Sequence, residues 1–192
     1  MFNVFRGKKK SLWEAMSSIL KSYDYLLKYS IQVNHQTGVL LSPSEHSFFD
    51  HLGTNIDNII TDGISSSKTR FDIVKDNFGT VWILINDEDF EELISTTYTI
   101  VNAVSRVVKP DNVIGSVLKL DLQNSNLLDV YKQVEGGYLI FNSDLLGYYP
   151  FVPLKEERIS SLELDLQDIL KSSGLETISD MNNWYGISGI PF

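Results

Sequence analysis

Any chemistry in this chain must be built from carboxylates, hydroxyls and three histidines, His35, His46 and His51, because the sequence contains no cysteine. That inventory removes disulfides, thiolate zinc sites, iron–sulfur ligation and cysteine nucleophiles. His46 and His51 would stand about 140° apart round a helix, whereas a helical zinc pair uses positions i and i+4. His46 and Asp50 do have that spacing, but it is equally the spacing of an ordinary pair on a helix surface. The acidic run NDEDFEE lacks the alternating oxygens and the glycine of a calcium loop. It precedes an apolar helical stripe, where the helix dipole favours negative charge. No G-x-S-x-G, G-x-x-x-x-G-K-[ST] or G-x-G-x-x-G occurs. No catalytic, cofactor-binding or metal-ligating residue is therefore assigned, and no cofactor is expected. Carboxylates are plentiful, so an enzyme with a carboxylate-lined cleft assembled by the fold stays open as an alternative.

Two other stretches could do chemistry of a binding kind. The start, MFNVFRGKKK, sets Phe2 and Phe5 beside Arg6, Lys8, Lys9 and Lys10. Apolar toes with clustered cations suit weak contact with an anionic membrane surface, and the same composition suits a frayed basic terminus. The second stretch is LLGYYPFVPL, residues 145–154. Pro150 cannot donate to a ladder and Pro153 discourages helix, so residues 147–154 are predicted to leave the sheet as a stiff, extended connection. Tyr148, Tyr149 and Phe151 would then be presented outward as a groove for an extended peptide, the alternative being that they plug the sheet edge as core. The net charge is −9, and four cations sit in the first ten residues, so the rest of the chain is more acidic still. Such a body repels phosphate backbones, and nucleic acid is not expected as a partner.

The elements that must position these residues follow from periodicity. Apolar residues at helical spacing predict a first helix over 12–27, and GVLLS predicts a strand over 38–42. Phe48, Leu52, Ile56 and Ile60 resume a helical stripe after Pro43. The segment TRFDIVKDNFGTVWILIND predicts a hairpin whose second strand, apolar on both faces, is central and doubly covered. A long helix follows, capped by Asn86 or Asp87, with a stripe from Phe90 to Val108. A half-covered strand is predicted over 113–123, a turn at Gly136 and Gly137, a strand YLIFN, and a last helix through Leu162, Leu166 and Leu170. The architecture predicted is α+β, an antiparallel sheet of about five strands with helices mainly on one face. A basic segment, 1–10, precedes a single domain, 11–192. No apolar run reaches the roughly 20 residues of a membrane span and no secretory signal is visible, so a cytoplasmic protein is expected.

Setting aside the helix after the first strand, the order α-β-β-β-α-β-β-α is similar to that of secretion-chaperone-like proteins, a likeness of topology alone. More specifically, GTVWILINDEDFEELISTTYTIV, GGYLIFNSDLLGYYPFVPL and NNWYGISGIPF together resemble the PspA-associated family PspAB, found in archaea and actinobacteria. Trp82, Tyr148, Tyr149, Pro150, Phe151, Pro153, Trp184, Tyr185, Pro191 and Phe192 occupy the places of that family's aromatic and proline positions. GISG stands where the family pattern continues with proline and then tryptophan. The resemblance covers the C-terminal three-fifths of the chain well and the first 70 residues in element order. It implies a non-enzymatic accessory protein of a PspA-type envelope-stress system, associated with an HtpX-type membrane protease, at the inner face of the membrane. It carries no catalytic residue over.

The leading expectation is thus an adaptor that binds a protein partner through Tyr148, Tyr149, Phe151, Trp184 and Tyr185, with weak lipid attraction from the basic start. Beside it stand the enzyme reading and a homo-oligomer, such as a homodimer, whose aromatic loop serves self-association.

Overall fold

In the computed structural model, residues 10–61, 68–77, 79–129, 131, 134, 136–155 and 157–192 are described. Two helices, α1 (Leu12–Met16) and α2 (Ser18–Lys28), stand where one was predicted. Ser11 opens α1 with a capping box shared with Glu14. The Ser18 hydroxyl bonds back to the Ala15 carbonyl at 2.7 Å, marking the break between them. Strand β1 (Gln32–Leu41) is longer than predicted, since its first half, QVNHQT, is polar and partly exposed while still paired. A short helix α3 (Ser47–Asp50) is capped by His46, whose Nδ1 accepts from the Phe48 N–H at 3.1 Å, and α4 (Leu52–Thr61) follows.

The predicted hairpin is β2 (Arg70–Lys75) and β3 (Val81–Asn86), paired in register from Arg70 opposite Asn86. Helix α5 (Phe90–Val107) starts two or three residues later than a cap at Asp87 or Asn86 would place it. Asp89 is the cap, its carboxylate accepting the N–H groups of Glu91 and Glu92 at 2.9 and 3.2 Å. Strand β4 (Val113–Asp121) pairs with β5 (Gly136–Asn142), which pairs with β6 (Gly147–Phe151). Gly136 and Gly137 therefore lie inside a strand rather than in the turn predicted. A Cβ on Gly136 would come within 2.5 Å of the Leu120 carbonyl oxygen, which explains why the position carries none. A two-stranded ribbon, β7 (Pro153–Leu154) with β8 (Glu157–Arg158), leads into α6 (Ser160–Ser172).

The main sheet has six strands in the order β2-β3-β1-β4-β5-β6, every neighbouring pair antiparallel. The α+β class predicted from the sequence holds. Among the described residues, all six α-helices contribute buried or half-buried apolar residues to one face, where Met16, Leu26, Ile56, Ile100 and Leu166 meet Val39, Ile83 and Leu139. The opposite face carries Leu40, Trp82, Leu84, Val117, Ile140 and Tyr149 and, among the described residues, receives no α-helix.

The prediction that residues 147–154 leave the sheet is corrected, because 147–151 is its edge strand. Tyr148 turns its N–H and C=O away from β5, toward the Glu176 carbonyl at 2.7 Å and the Ile178 N–H at 2.8 Å. Pro150, two residues on, points its nitrogen to the same open side, where the ladder with β5 asks for no donor. An edge strand is one of the few places in a sheet that tolerates proline. Among the described residues no helix is long and apolar enough to cross a membrane.

Candidate functional site

Strand alternation sends the rings of β6 to opposite faces. Tyr148 points toward the helices and is 1% exposed. Its hydroxyl donates to the Met16 carbonyl at 2.7 Å and its ring meets Phe141 edge-on, with centroids 4.8 Å apart. Burial raises its phenol far above the ordinary tyrosine range. Tyr149 and Phe151 point to the helix-free face, yet they too are buried. Trp184 stacks on Tyr149 at 6.1 Å, and the Arg158 guanidinium lies over the Phe151 ring at 5.4 Å. The outward display predicted for Tyr148, Tyr149 and Phe151 is thus corrected: Tyr148 belongs to one core, and the other two are covered by the chain's own C-terminal segment. Of the five residues singled out in the sequence, only Tyr185 is open to water, at 60%.

That cover is residues 184–192, laid across the face that has no helices. The Trp184 indole N–H donates to the Ile178 carbonyl at 2.9 Å, as does the Gln167 side-chain amide at 2.9 Å. Arg158 donates from Nη1 to the Trp184 carbonyl at 2.8 Å. The same guanidinium is held by Glu163, a fully buried carboxylate on α6, through Nε at 2.9 Å and Nη2 at 2.8 Å. Glu163 also accepts the Val152 N–H at 2.8 Å. One carboxylate therefore joins α6, the exit from β6, the β8 arginine and the start of the cover.

Farther along, Ile187, Ile190 and Phe192 are half-buried on the outer cluster. The Phe192 ring stands edge-on to Trp82 and to Tyr138, both at 6.3 Å, and the Tyr138 hydroxyl donates to the Phe192 carbonyl at 3.0 Å. Gly38 on β1 makes the space, since a Cβ there would come within 2.7 Å of Phe192 and 2.9 Å of Trp82. The Tyr149 hydroxyl donates to the Tyr185 carbonyl at 3.1 Å. Burial pushes the Tyr149 phenol up to about 12, with that hydrogen bond and Arg158 pulling it partway back. Burial likewise raises the Tyr138 phenol.

Two clefts flank the ridge formed by residues 186–188. One, of about 560 Å³, runs past Tyr138, Phe151, Pro153 and Arg158. The other, of about 330 Å³, is lined by Leu40, Tyr149, Tyr185 and the exposed Ile114, with Asp76 and Thr80 at its polar end. A third cleft, of about 770 Å³, mixes Lys68 and Arg70 with Asp72, Asp87 and Glu88. There the Asp87 carboxylate already accepts the Thr69 hydroxyl and the Asp89 N–H, and the His35 ring donates to the Glu88 carbonyl at 2.7 Å. Among the described residues no group of three or more His, Asp or Glu is placed to hold a metal ion. Lys10 is ion-paired with Glu176. Phe2, Phe5, Arg6, Lys8 and Lys9 lie outside the described residues.

The model of the family PspAB, PspA associated protein B, matches residues 8–192. The chain belongs to the PspA associated protein B family. The match takes in α1 through α6 and the C-terminal cover alike, and so reaches well beyond the aromatic stretches that first suggested the likeness. No curated protein and no solved structure matches the chain. In this member of the family, sequence reasoning missed Glu163, Arg158, Tyr138 and Gly38. The readable signal was Glu163 itself, a charge set within the apolar stripe of Leu162, Leu166 and Leu170.

Replacing Glu163 by Gln keeps the volume and one acceptor but leaves Arg158 without its counter-charge. Urea unfolding should show a loss of about 2–4 kcal/mol, below the range for fully buried pairs because Arg158 keeps some contact with water. The tyrosines give a pH signature. The folded state holds the Tyr149 proton up to about 12 against 10.0 for the free group, so its contribution is whole below pH 10.0 and is lost as the pH climbs toward 12. Denaturation of the Tyr149→Phe variant over that interval should show a stability slope shallower by up to about 1.4 kcal/mol per pH unit.

Proposed function

We propose that the chain is a non-enzymatic accessory protein of a PspA-type envelope-stress system that binds a protein partner on the helix-free side of its sheet. The family name, PspA associated protein B, supports a PspA-linked role. The observation that carries the location is the exposed Tyr185, which shares the 330 Å³ cleft with the exposed Ile114. A large aromatic and a β-branched aliphatic left open at the rim of a cleft suit a protein contact, where aromatics lose little entropy and bury much area. Tyr149, Phe151 and Trp184 serve this contact from beneath as a rigid floor, and Tyr148 fixes the floor to the helices. The partner is a PspA-type protein, with an HtpX-type membrane protease as the second candidate of the same system.

Residues 2–10 add a weak attraction to anionic lipid, which places the protein at the cytoplasmic face of the membrane without inserting it. The acidic body, net −9 even with that basic start, disfavours nucleic acid as partner.

Tyr185→Ala combined with Ile114→Ser tests the contact, since both side chains are exposed and neither belongs to a core cluster. Capture of a purified PspA-type protein from the chain's own host should fall at least about tenfold, as expected for loss of interface anchors. The thermal melt should stay nearly unchanged. Undiminished capture would rule this surface out.

A further inference from the structure

We propose that residues 185–192 are an internal occupant of a peptide-docking groove, and that a partner segment of the same chemistry displaces them from the open face of the sheet. The segment carries no charged side chain and presents an aliphatic residue, a proline and an aromatic ring in succession. This deepens the reading of the chain as a protein-binding accessory and rests on it.

The C-terminal segment is seated as a ligand is seated. Among the described residues, no backbone N–H from 185 to 192 has a hydrogen-bond partner. The segment is held by side-chain groups of the floor: Tyr149 and Tyr138 hydroxyls reach the carbonyls of Tyr185 and Phe192, and rings close round Phe192. Chain bound by anchors alone, outside any ladder, comes from the low end of the range of local opening energies. Its sequence adds a hinge. Gly186, Ser188 and Gly189 are exposed, and Gly189 has φ 69° with nothing within 4 Å of where a Cβ would be.

The floor, by contrast, is built. It is a strand surface under Phe192 with Gly38 cut back to admit the ring, and it does not depend on the segment for its own pairing. The clefts on either side of residues 186–188 provide room for an incoming chain before the resident one has left. The seated residues state what the groove accepts: Ile187, Ile190 and Phe192 are half-buried on the outer cluster, the exposed Pro191 stiffens the backbone that delivers Phe192, and no side chain from 185 to 192 is charged. A tethered occupant competes at an effective concentration of order millimolar, so an untethered segment binds weakly until the tether's hold is loosened.

The test uses the full chain and a fluorescein-labelled peptide, Ile-Ser-Gly-Ile-Pro-Phe, read by anisotropy. Phe192→Ala, and Phe192→Ala with Ile190→Ser, weaken the resident segment and leave the floor intact. The peptide should bind the double variant at least about tenfold tighter than the unaltered chain, with the single variant between them. A peptide with Ala for Pro and Phe should bind none of the three. Equal affinity for all, or no binding to any, overturns the proposal. So does a concentration-dependent dimer of the unaltered chain whose sedimentation is lost with Phe192→Ala, because the occupant in trans would then be a second copy. Loss of PspA capture on Tyr185→Ala and Ile114→Ser is measured with the resident segment in place, so it stands or falls separately from the peptide result.

Discussion

Both faces of the central strands are apolar, and helices reach only one of them. Val81, Ile83 and Ile85 of β3 meet the helical layer, while Trp82 and Leu84 of the same strand point the other way. Nine buried residues form the second cluster, among them two tryptophans. At about 1.5–3 kcal/mol for each large side chain removed from water, that face cannot be left bare. A sheet in this position is usually covered by a second layer of regular structure. Here the work falls to irregular chain from Ile178 onward, and the rest of the architecture follows from that economy.

A cover without secondary structure has to be fastened by side chains. The firm end is at Trp184, where Arg158, Gln167 and the Ile178 carbonyl converge and Glu163 supplies the buried charge that holds Arg158 in place. Beyond it the fastening thins to two tyrosine hydroxyls and one phenylalanine socket. The protein therefore grades from a rigid floor, through a clamped tryptophan, to a loosely held end. The graded stretch coincides with the exposed Tyr185 and with the clefts beside it. The cover and the proposed partner contact thus share residues, which is the physical basis for proposing this face as the functional one.

The sequence made the sheet legible wherever pattern and environment agreed. VWILI announced a strand covered on both sides, and the structure puts Val81, Ile83 and Ile85 against the helices with Trp82 and Leu84 in the outer cluster. It misled where a local rule was overridden by position. Pro150 reads as a break, yet at an edge with its nitrogen turned outward it costs no ladder bond. Gly136 and Gly137 read as a turn, yet they begin β5, and Gly136 lies where the Leu120 carbonyl of β4 approaches too closely for a Cβ. The strand predicted over 38–42 leaves out the first half of β1, whose side chains are mostly polar although Gln32 and Val33 pair with β4 and Gln36 and Thr37 with β3. The aromatic run was recognised as special, but period-2 alternation splits it between two cores, and nothing local says that residues 184–192 return to cover Tyr149 and Phe151. That closure is a long-range contact between stretches far apart in the chain, beyond the reach of any window.

Residues 184–192 rest on the helix-free face of the sheet, with Phe192 in the notch left by Gly38. Nuclear Overhauser spectra of the isolated chain address this placement directly. Cross-peaks are expected between the Phe192 ring and the Gly38 α protons, with those protons shifted upfield by the Phe192 and Trp82 rings. Random-coil shifts for Phe192 and no cross-peak to Gly38 would contradict it.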